Sequence, residues 1–139
     1  MYQRILLAAD GSENSVRAAI EAAKLASLVQ GSSVELLFVI DPTKVKEEVL
    51  HSKNHEEVEY KRNQKLLPVI EELASKNVNH SVTMVIGDPG PTIVEHSMKK
   101  NIDLVVIGSR GLNAFQEFVM GSVSHKVVKR AQCPVMVVK

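Results

Sequence analysis

ILLAA, from Ile5 to Ala9, is a continuous apolar run that is followed at once by DGS, from Asp10 to Ser12. An apolar run without polar alternation predicts a strand that is covered on both faces, as in a parallel sheet. Apolar residues then recur at helical spacing as far as Leu28, which predicts a helix. Asp10 or Ser12 can cap its start. A buried strand that leads directly into a helix indicates an α/β fold.

The same pattern continues along the chain. Further strands are predicted at 34–40, 81–86, 103–107 and 134–138. Helices are predicted between them, at about 56–76, after Pro91 as far as Lys100, and at about 123–131. Regular alternation of this kind requires crossover connections, which place parallel strands in one sheet with helices on both faces. We therefore expect a doubly wound, open α/β fold that forms a single domain over residues 1–139.

Two places in the pattern are irregular. The segment from Thr43 to Asn54 is polar, mixed in charge and weakly periodic, so that it is interpreted as a loop or a helix and is expected to be the least ordered part of the chain. Pro68 lies inside the helix predicted at 56–76, where a missing N–H and the ring predict a kink or a break.

Composition excludes several classes of protein. The 139 residues include 17 Lys and Arg against 16 Asp and Glu, and they contain no Trp, two Tyr and three Phe. A net charge of +1 argues against a dedicated nucleic-acid binder, and so few aromatic residues argue against base stacking. The single cysteine, Cys133, fits a reducing compartment, and the first apolar run is too short to span a membrane. We expect a cytoplasmic protein.

In an open doubly wound sheet, ligands bind beyond the carboxyl ends of the strands, where the strand order reverses. The most unusual strand end is Gly108-Ser109-Arg110-Gly111, followed by nine residues and then Gly121-Ser122. Glycine permits close approach of a ligand to the backbone, arginine adds bidentate donors, and a helix start offers free N–H groups to an anion. The pattern as a whole predicts a ligand that carries phosphates, although each residue alone also fits a simple turn or helix cap.

Other nucleotide and phosphate motifs are missing from the sequence. The chain has neither a glycine-rich loop ending in Gly-Lys-Ser/Thr nor a G-x-G-x-x-G after the first strand, which argues against a P-loop NTPase and a dinucleotide site. A receiver-like phospho-switch fits poorly, because Asp10 is followed by Gly11-Ser12 rather than by a second acid, and the third strand ends in Ile86-Gly87.

The histidines indicate no metal site. His51 and His55 are spaced i, i+4 and could ligate a metal on a helix, but a solvated pair is the simpler interpretation. His125 could reach a phosphate, yet it is expected at the surface. His80 and His96 are expected to face solvent.

With these residues in view, the sequence resembles the universal stress protein family over essentially its whole length. The ATP-binding subgroup of that family carries G-x2-G-x9-G-S/T, which stands here as Gly108, Gly111, Gly121 and Ser122. The first strand with its Asp-Gly-Ser turn and the last strand, 133–138, are also similar to the family pattern.

The resemblance implies a parallel sheet in the order 3-2-1-4-5, with ATP and Mg²⁺ in the crevice between strands one and four. Asp10 would lie near the ribose or the metal and phosphates, and it is the one expected metal ligand. Ala8, where some members have proline, and Val39 would line the adenine pocket. The ribose and phosphates would be held by Gly108, Arg110, Gly111, Gly121, Ser122 and Val123.

The implied function is that of an adenine-nucleotide-binding regulatory module, which signals through its conformation or through contacts with an unidentified protein partner. Catalysis is expected to be slow or absent, and no catalytic residue is assigned. The alternatives are a weak ATP hydrolase that uses Asp10 to hold the metal and a partner-binding module that does not use nucleotide. A homodimer is expected, because the implied order leaves the last strand, 134–138, at an apolar edge of the sheet.

Overall fold

A computed structural model describes residues 1–110 and 120–139. Within these ranges the elements are, in chain order, β1 (Arg4–Ala8), α1 (Glu13–Leu28), β2 (Ser33–Ile40), α2 (Pro42–Leu50), α3 (His55–Ser75), β3 (Asn79–Ile86), α4 (Pro89–Lys99), β4 (Leu104–Gly108), α5 (Ser122–Arg130) and β5 (Val135–Val138). Among the described helices, none is both long enough and apolar enough to cross a bilayer.

The strands form one parallel sheet in the order β3-β2-β1-β4-β5, so the predicted fold class and strand order are confirmed. β1 lies at the centre of the sheet, where Ile5 is opposite Val34 of β2 on one side and Leu104 of β4 on the other. The order therefore reverses between β1 and β4. In an open parallel sheet, a crevice forms beyond the carboxyl ends of the two strands between which the order reverses.

Two apolar layers cover the sheet. On one face α1 and α3 pack against Leu7, Leu36 and Val106, and on the other α4 and α5 pack against Leu6 and Val105. All five of these strand side chains are fully buried. Burial on both faces explains why β1 and β4 consist of unbroken apolar runs rather than alternating ones.

The segment interpreted as a loop or a helix contains a helix, α2. It begins at Pro42 because the Asp41 side chain caps it: the Asp41 carboxylate accepts hydrogen bonds from the Thr43 N–H at 2.9 Å and from the Thr43 hydroxyl at 2.7 Å. No residue of α2 is fully buried, and only Val45 packs against the core of the α1 and α3 face. Caps and a few contacts therefore hold this helix in place.

α3 is continuous from His55 to Ser75 and includes Pro68. The prediction of a break at this proline is therefore wrong. Leu66 and Val69 flank the proline and are both fully buried in one core, as is Leu73 a turn later. Packing on both sides of Pro68 keeps the two halves in one helix, which compensates for the hydrogen bond that proline cannot donate.

Candidate functional site

A cleft of about 390 Å³ opens at the carboxyl ends of β1, β2 and β4. This volume lies within the range of about 300–1,000 Å³ that small-molecule sites occupy. The predicted binding residues within the described ranges all line it: Ala8, Asp10, Val39, Gly108, Arg110, Gly121, Ser122 and Val123. Gly111, the remaining predicted residue, lies outside the described residues. The structure thus brings together residues that are separated by more than a hundred positions in the sequence.

The floor of the cleft is apolar. Ala8 and Ile107 are neighbours across the β1–β4 pair, and both are almost fully buried. Val39 of β2 is half-buried beside them, and Ile93 of α4 closes the same side. A floor of small and branched aliphatic side chains suits a flat ring system, which gains from burial without requiring a charged partner.

One wall is the turn between β1 and α1, which is held by hydrogen bonds to the side chains of Asp10, Ser12 and Ser15. The Asp10 carboxylate accepts from the Ser12 N–H at 2.9 Å, and the Ser12 hydroxyl in turn accepts from the Ser15 N–H at 3.2 Å as the N-cap of α1. The Ser15 hydroxyl accepts from the Gly11 N–H at 3.1 Å. These bonds fix the position of the Asp10 carboxylate at the edge of the cleft.

Gly11 allows α3 to approach this turn. Its φ of +86° is in the left-handed region, and a Cβ on Gly11 would lie 2.8 Å from the main-chain oxygen of Lys65. Because both the backbone angle and the space exclude a larger residue, the β1–α1 turn and α3 come into direct contact here. That contact brings Lys65 to the wall of the cleft.

The opposite end of the cleft is the start of α5. Gly121 is the N-cap and forms no side-chain capping bond, in contrast to the serine, aspartate and asparagine caps of α1, α2 and α3. Arg110, Ser122 and Val123 line the cleft at this end. The first N–H groups of a helix carry partial positive charge, and a guanidinium adds a full one. This end of the cleft therefore suits an anionic group.

The structure also places three charged residues in the cleft that the sequence did not indicate: Lys44 and Glu48 of α2 and Lys65 of α3. Glu48 accepts a hydrogen bond from Arg62 of α3 at 2.7 Å, and this half-buried ion pair ties α2 to α3. The sequence did contain an indication for Lys44, which follows the carboxyl end of β2 by only a few residues. The helical geometry of α2, which projects Lys44 and Glu48 in the same direction, was needed to recognise both.

Among the carboxylates, Asp41 also lines the cleft, and its hydrogen bonds from the Thr43 hydroxyl and N–H lower the pKa of its carboxyl below the ordinary value. No group of three or more histidine, cysteine or acidic side chains that could hold a metal occurs within residues 1–110 and 120–139. The acidic side chains that line the described part of the cleft are Asp10, Asp41 and Glu48. Mg²⁺ is usually bound by one or two carboxylates plus phosphates and water, so a larger cluster of protein ligands is not required for it.

The histidines lie apart from this arrangement. His51 caps the end of α2, whereas His55 begins α3 and pairs with Glu59, so the i, i+4 pair does not share a helix. The expectation that His96 faces solvent is wrong. Its Nε2 lies 2.9 Å from the carboxylate of Glu35, which also accepts a bond from the Thr83 hydroxyl. The side chains of His96 and Glu35 are both largely buried.

With the fold and the cleft described, comparison with known proteins shows which of them this chain is similar to. The chain is 30% identical over 149 residues to the universal stress protein YxiE of Bacillus subtilis, with full coverage of both chains. It superposes on the structure of MJ0577, a universal stress protein of Methanocaldococcus jannaschii, with a TM-score of 0.84 at 28% identity, covering 100% of this chain and 96% of that one.

A universal stress protein from Archaeoglobus fulgidus, solved in complex with dAMP, shares the fold with a TM-score of 0.73 at 20% identity, covering 99% of this chain and 98% of that one. The model of the universal stress protein family matches residues 1–139. The chain therefore belongs to the universal stress protein family.

Proposed function

We propose that this protein binds ATP together with Mg²⁺ in the cleft between β1 and β4 and acts as a regulatory protein in a stress response. One observation carries the proposal: Gly108, Arg110, Gly121 and Ser122 of the predicted phosphate motif line a single cleft together with Asp10 of the β1–α1 turn. A relative of the same fold solved with dAMP supports an adenine nucleotide as the ligand.

Different regions of the cleft suit different parts of such a ligand. The base would lie on the apolar floor near Ala8 and Val39, and the phosphates would lie at the start of α5, where Gly121 leaves room and Ser122 offers a hydroxyl and an N–H. Arg110 would add a cation at that end. Asp10 would hold Mg²⁺ against the phosphates, so that the metal links the two walls of the cleft.

Signalling would then follow from occupancy rather than from turnover. Of the acidic residues that line the described part of the cleft, Asp41 caps α2 and Glu48 pairs with Arg62. Asp10, whose carboxylate accepts one bond from the Ser12 N–H, is the acid that we propose as the metal ligand. We assign no catalytic residue, and the protein would communicate its nucleotide state through conformation or through contacts with a protein partner.

The proposed assembly is a homodimer through β5. The carbonyl oxygen of Pro134 accepts a bond from the Val105 N–H, and that of Val138 accepts one from the Ser109 N–H. The backbone groups of the even-numbered residues of β5 therefore face β4. By the alternation of a strand, the N–H and C=O groups of Val135 and Val137 point to the open edge. Antiparallel pairing of this edge with its copy would satisfy them and give a two-fold symmetric dimer.

The nucleotide proposal is tested by calorimetry with ATP and Mg²⁺ on the wild type and on Gly121→Val. A Cβ at Gly121 would lie 3.4 Å from Arg110 Cα and from the Ser109 oxygen, and the backbone angles of Gly121 are ordinary, with φ of −62°. The fold therefore accepts a Cβ, whereas the two γ-methyls of valine would occupy space at the phosphate end. We expect Gly121→Val to lose ATP binding and Gly121→Ala, the matched control, to retain more of it.

Equal ATP affinity of wild type and Gly121→Val would show that phosphates do not lie at the start of α5. Failure of the wild type to bind any adenine nucleotide would favour the partner-binding module that does not use nucleotide.

A weak ATP hydrolase is the second candidate, and it depends on Asp10 at the edge of the cleft. The two are separated by measuring ATP turnover and ATP affinity of Asp10→Ala side by side. A loss of turnover that is larger than the loss of affinity would make the protein an enzyme, whereas equal losses would support the regulatory function.

A further inference from the structure

Ser109, between β4 and Arg110, connects the start of α5 to the edge strand β5. Its N–H donates to the carbonyl of Val138 at 2.7 Å. Its carbonyl accepts two bonds from the other direction, from the Gly121 N–H at 2.7 Å and from the Ser124 hydroxyl at 2.8 Å. The backbone of one residue, Ser109, is therefore bonded both to the anion-suited end of the cleft and to the last residues of the sheet edge.

A second connection runs through α1. The Asn14 side-chain amide donates to the Ser109 hydroxyl at 3.4 Å, and Arg17 donates to the side-chain oxygen of Asn14 through Nη2. The Nε of Arg17 donates to the carbonyl of Lys139 at 2.7 Å. Asn14 is buried, whereas Arg17 is exposed. We call Ser109, Asn14 and Arg17 the Ser109 clamp.

The Ser109 clamp forms a closed ring of contacts. It starts at Ser109, reaches the end of β5 directly through Val138, and reaches it again through Asn14, Arg17 and Lys139. Two routes to adjacent carbonyls restrict both the position and the rotation of the end of β5 relative to Ser109. A shift of Ser109 therefore cannot occur without a shift of the β5 end or the loss of a bond.

We propose that Asn14 and Arg17 are positioning residues that link occupancy of the phosphate end of the cleft to the ordering of β5. The proposal rests on the proposed binding of ATP, whose phosphates would contact the N–H groups at the start of α5. An anion there stabilises one placement of Gly121 and Ser124, and both are bonded to the Ser109 carbonyl. The Ser109 clamp transmits that placement to the carbonyls of Val138 and Lys139.

The consequence concerns the open edge of the sheet. Because β5 is the edge strand, any restriction of its end alters how readily its outward peptide groups pair with a second copy of the chain. Linkage makes the effect reciprocal: if ATP favours the paired edge, pairing must raise the affinity for ATP by the same factor. The clamp gives this linkage a physical route through named residues.

The experiment is amide hydrogen exchange of Ser109, Met136 and Val138, measured by NMR with and without saturating ATP and Mg²⁺. Wild type, Arg17→Ala and Lys24→Ala are compared at two protein concentrations an order of magnitude apart, which separates a change within one chain from a change through dimerisation. Lys24 is the matched control. It is an exposed cation on the same helix, and in the described part of the chain its ion pair is with Glu21. ATP binding by each protein is established first by calorimetry.

We expect ATP to slow exchange at these amides in the wild type and in Lys24→Ala by at least about fivefold, the lower end of typical coupling between sites. In Arg17→Ala the ratio of the exchange rate without ATP to the rate with ATP should be smaller than in the wild type, because only the direct bond from Ser109 to Val138 remains. If Arg17 had a purely structural role, its loss would speed exchange equally with and without ATP and leave that ratio unchanged. The ratio therefore distinguishes a structural role from the proposed positioning role.

Two results would overturn the inference: wild-type protein that binds ATP with no change in exchange at β5, or Arg17→Ala with the wild-type ratio. A wild type that binds no ATP in the calorimeter would instead overturn the proposed function, and the inference with it.

Discussion

Gly108 at the end of β4 lies directly against Asn14 of α1. A Cβ on Gly108 would be 2.8 Å from the Cβ of Asn14 and 3.0 Å from its carbonyl carbon. The sequence suggested that glycine stands here to let a ligand approach the strand end. The structure adds a different requirement, because the missing side chain makes room for the first turn of α1, which positions the Ser109 clamp.

Gly108→Ala should therefore destabilise the fold even without ligand. The added methyl group meets the backbone of α1 as well as a side chain, and overpacking of this kind costs about 1–3 kcal/mol. Urea unfolding should show a lower midpoint with an unchanged slope. Gly121→Ala is the control, since its Cβ meets only contacts of 3.4 Å or longer. Equal stability of Gly108→Ala and wild type would show that α1 can move away at little cost.

Asp10→Asn should weaken the binding of ATP in the presence of Mg²⁺ and have little effect when Mg²⁺ is removed by a chelator. Asparagine keeps an oxygen that can accept from the Ser12 N–H, so the turn is retained, but it removes the charge that the metal requires. We expect about a tenfold loss of affinity with the metal, or ~1.4 kcal/mol. The same loss with and without Mg²⁺, measured by calorimetry, would remove Asp10 from the metal site.

The N-cap of α2 should depend on pH. Because the hydrogen bonds from Thr43 lower the pKa of the Asp41 carboxyl in the folded protein, the ionised cap stabilises α2 above the ordinary pKa of about 3.8. That stabilisation is lost as the pH falls through the lower, folded pKa. Protection of the Thr43 and Lys44 amides from exchange, measured against the intrinsic exchange rate at each pH, should decrease in this acidic range.

Asp41→Asn is the informative variant for this cap. Asparagine caps helices about as well as aspartate and does not titrate. Exchange at the start of α2 should then no longer depend on ionisation at position 41. If protection in the variant depends on pH as it does in the wild type, another group controls the start of α2.

Val137→Pro should weaken the proposed dimer and spare the internal sheet. The N–H of Val137 points to the open edge, so proline removes a donor from the intermolecular ladder and none from the pairing of β5 with β4. Met136→Pro is the contrasting variant, because the peptide groups of Met136 face β4. We expect light scattering to show wild-type protein with the mass of two chains and Val137→Pro shifted toward one.

A wild-type mass of one chain at micromolar concentration would contradict the homodimer. A dimer that Val137→Pro leaves unchanged would place the interface elsewhere.

The local sequence pattern was sufficient to predict the buried strands and the edge of the sheet where the cleft forms. The unbroken apolar runs that became β1 and β4 indicated strands buried on both faces, and the polar residues after them indicated the edge where a cleft forms. These features depend on neighbours in sequence, since burial pattern and strand ends are set within a few residues. The strand order came from the family resemblance and not from periodicity.

Tertiary packing decided what local pattern left open. Leu66 and Val69 share a core on either side of Pro68, which holds α3 together where proline alone permits a break. Lys65 reaches the cleft because Gly11 admits α3 to the β1–α1 turn. The burial of His96 beside Glu35 depends on how α4 lies on β2. Each is a contact between residues far apart in the chain, whose free energy exists only after the elements have packed.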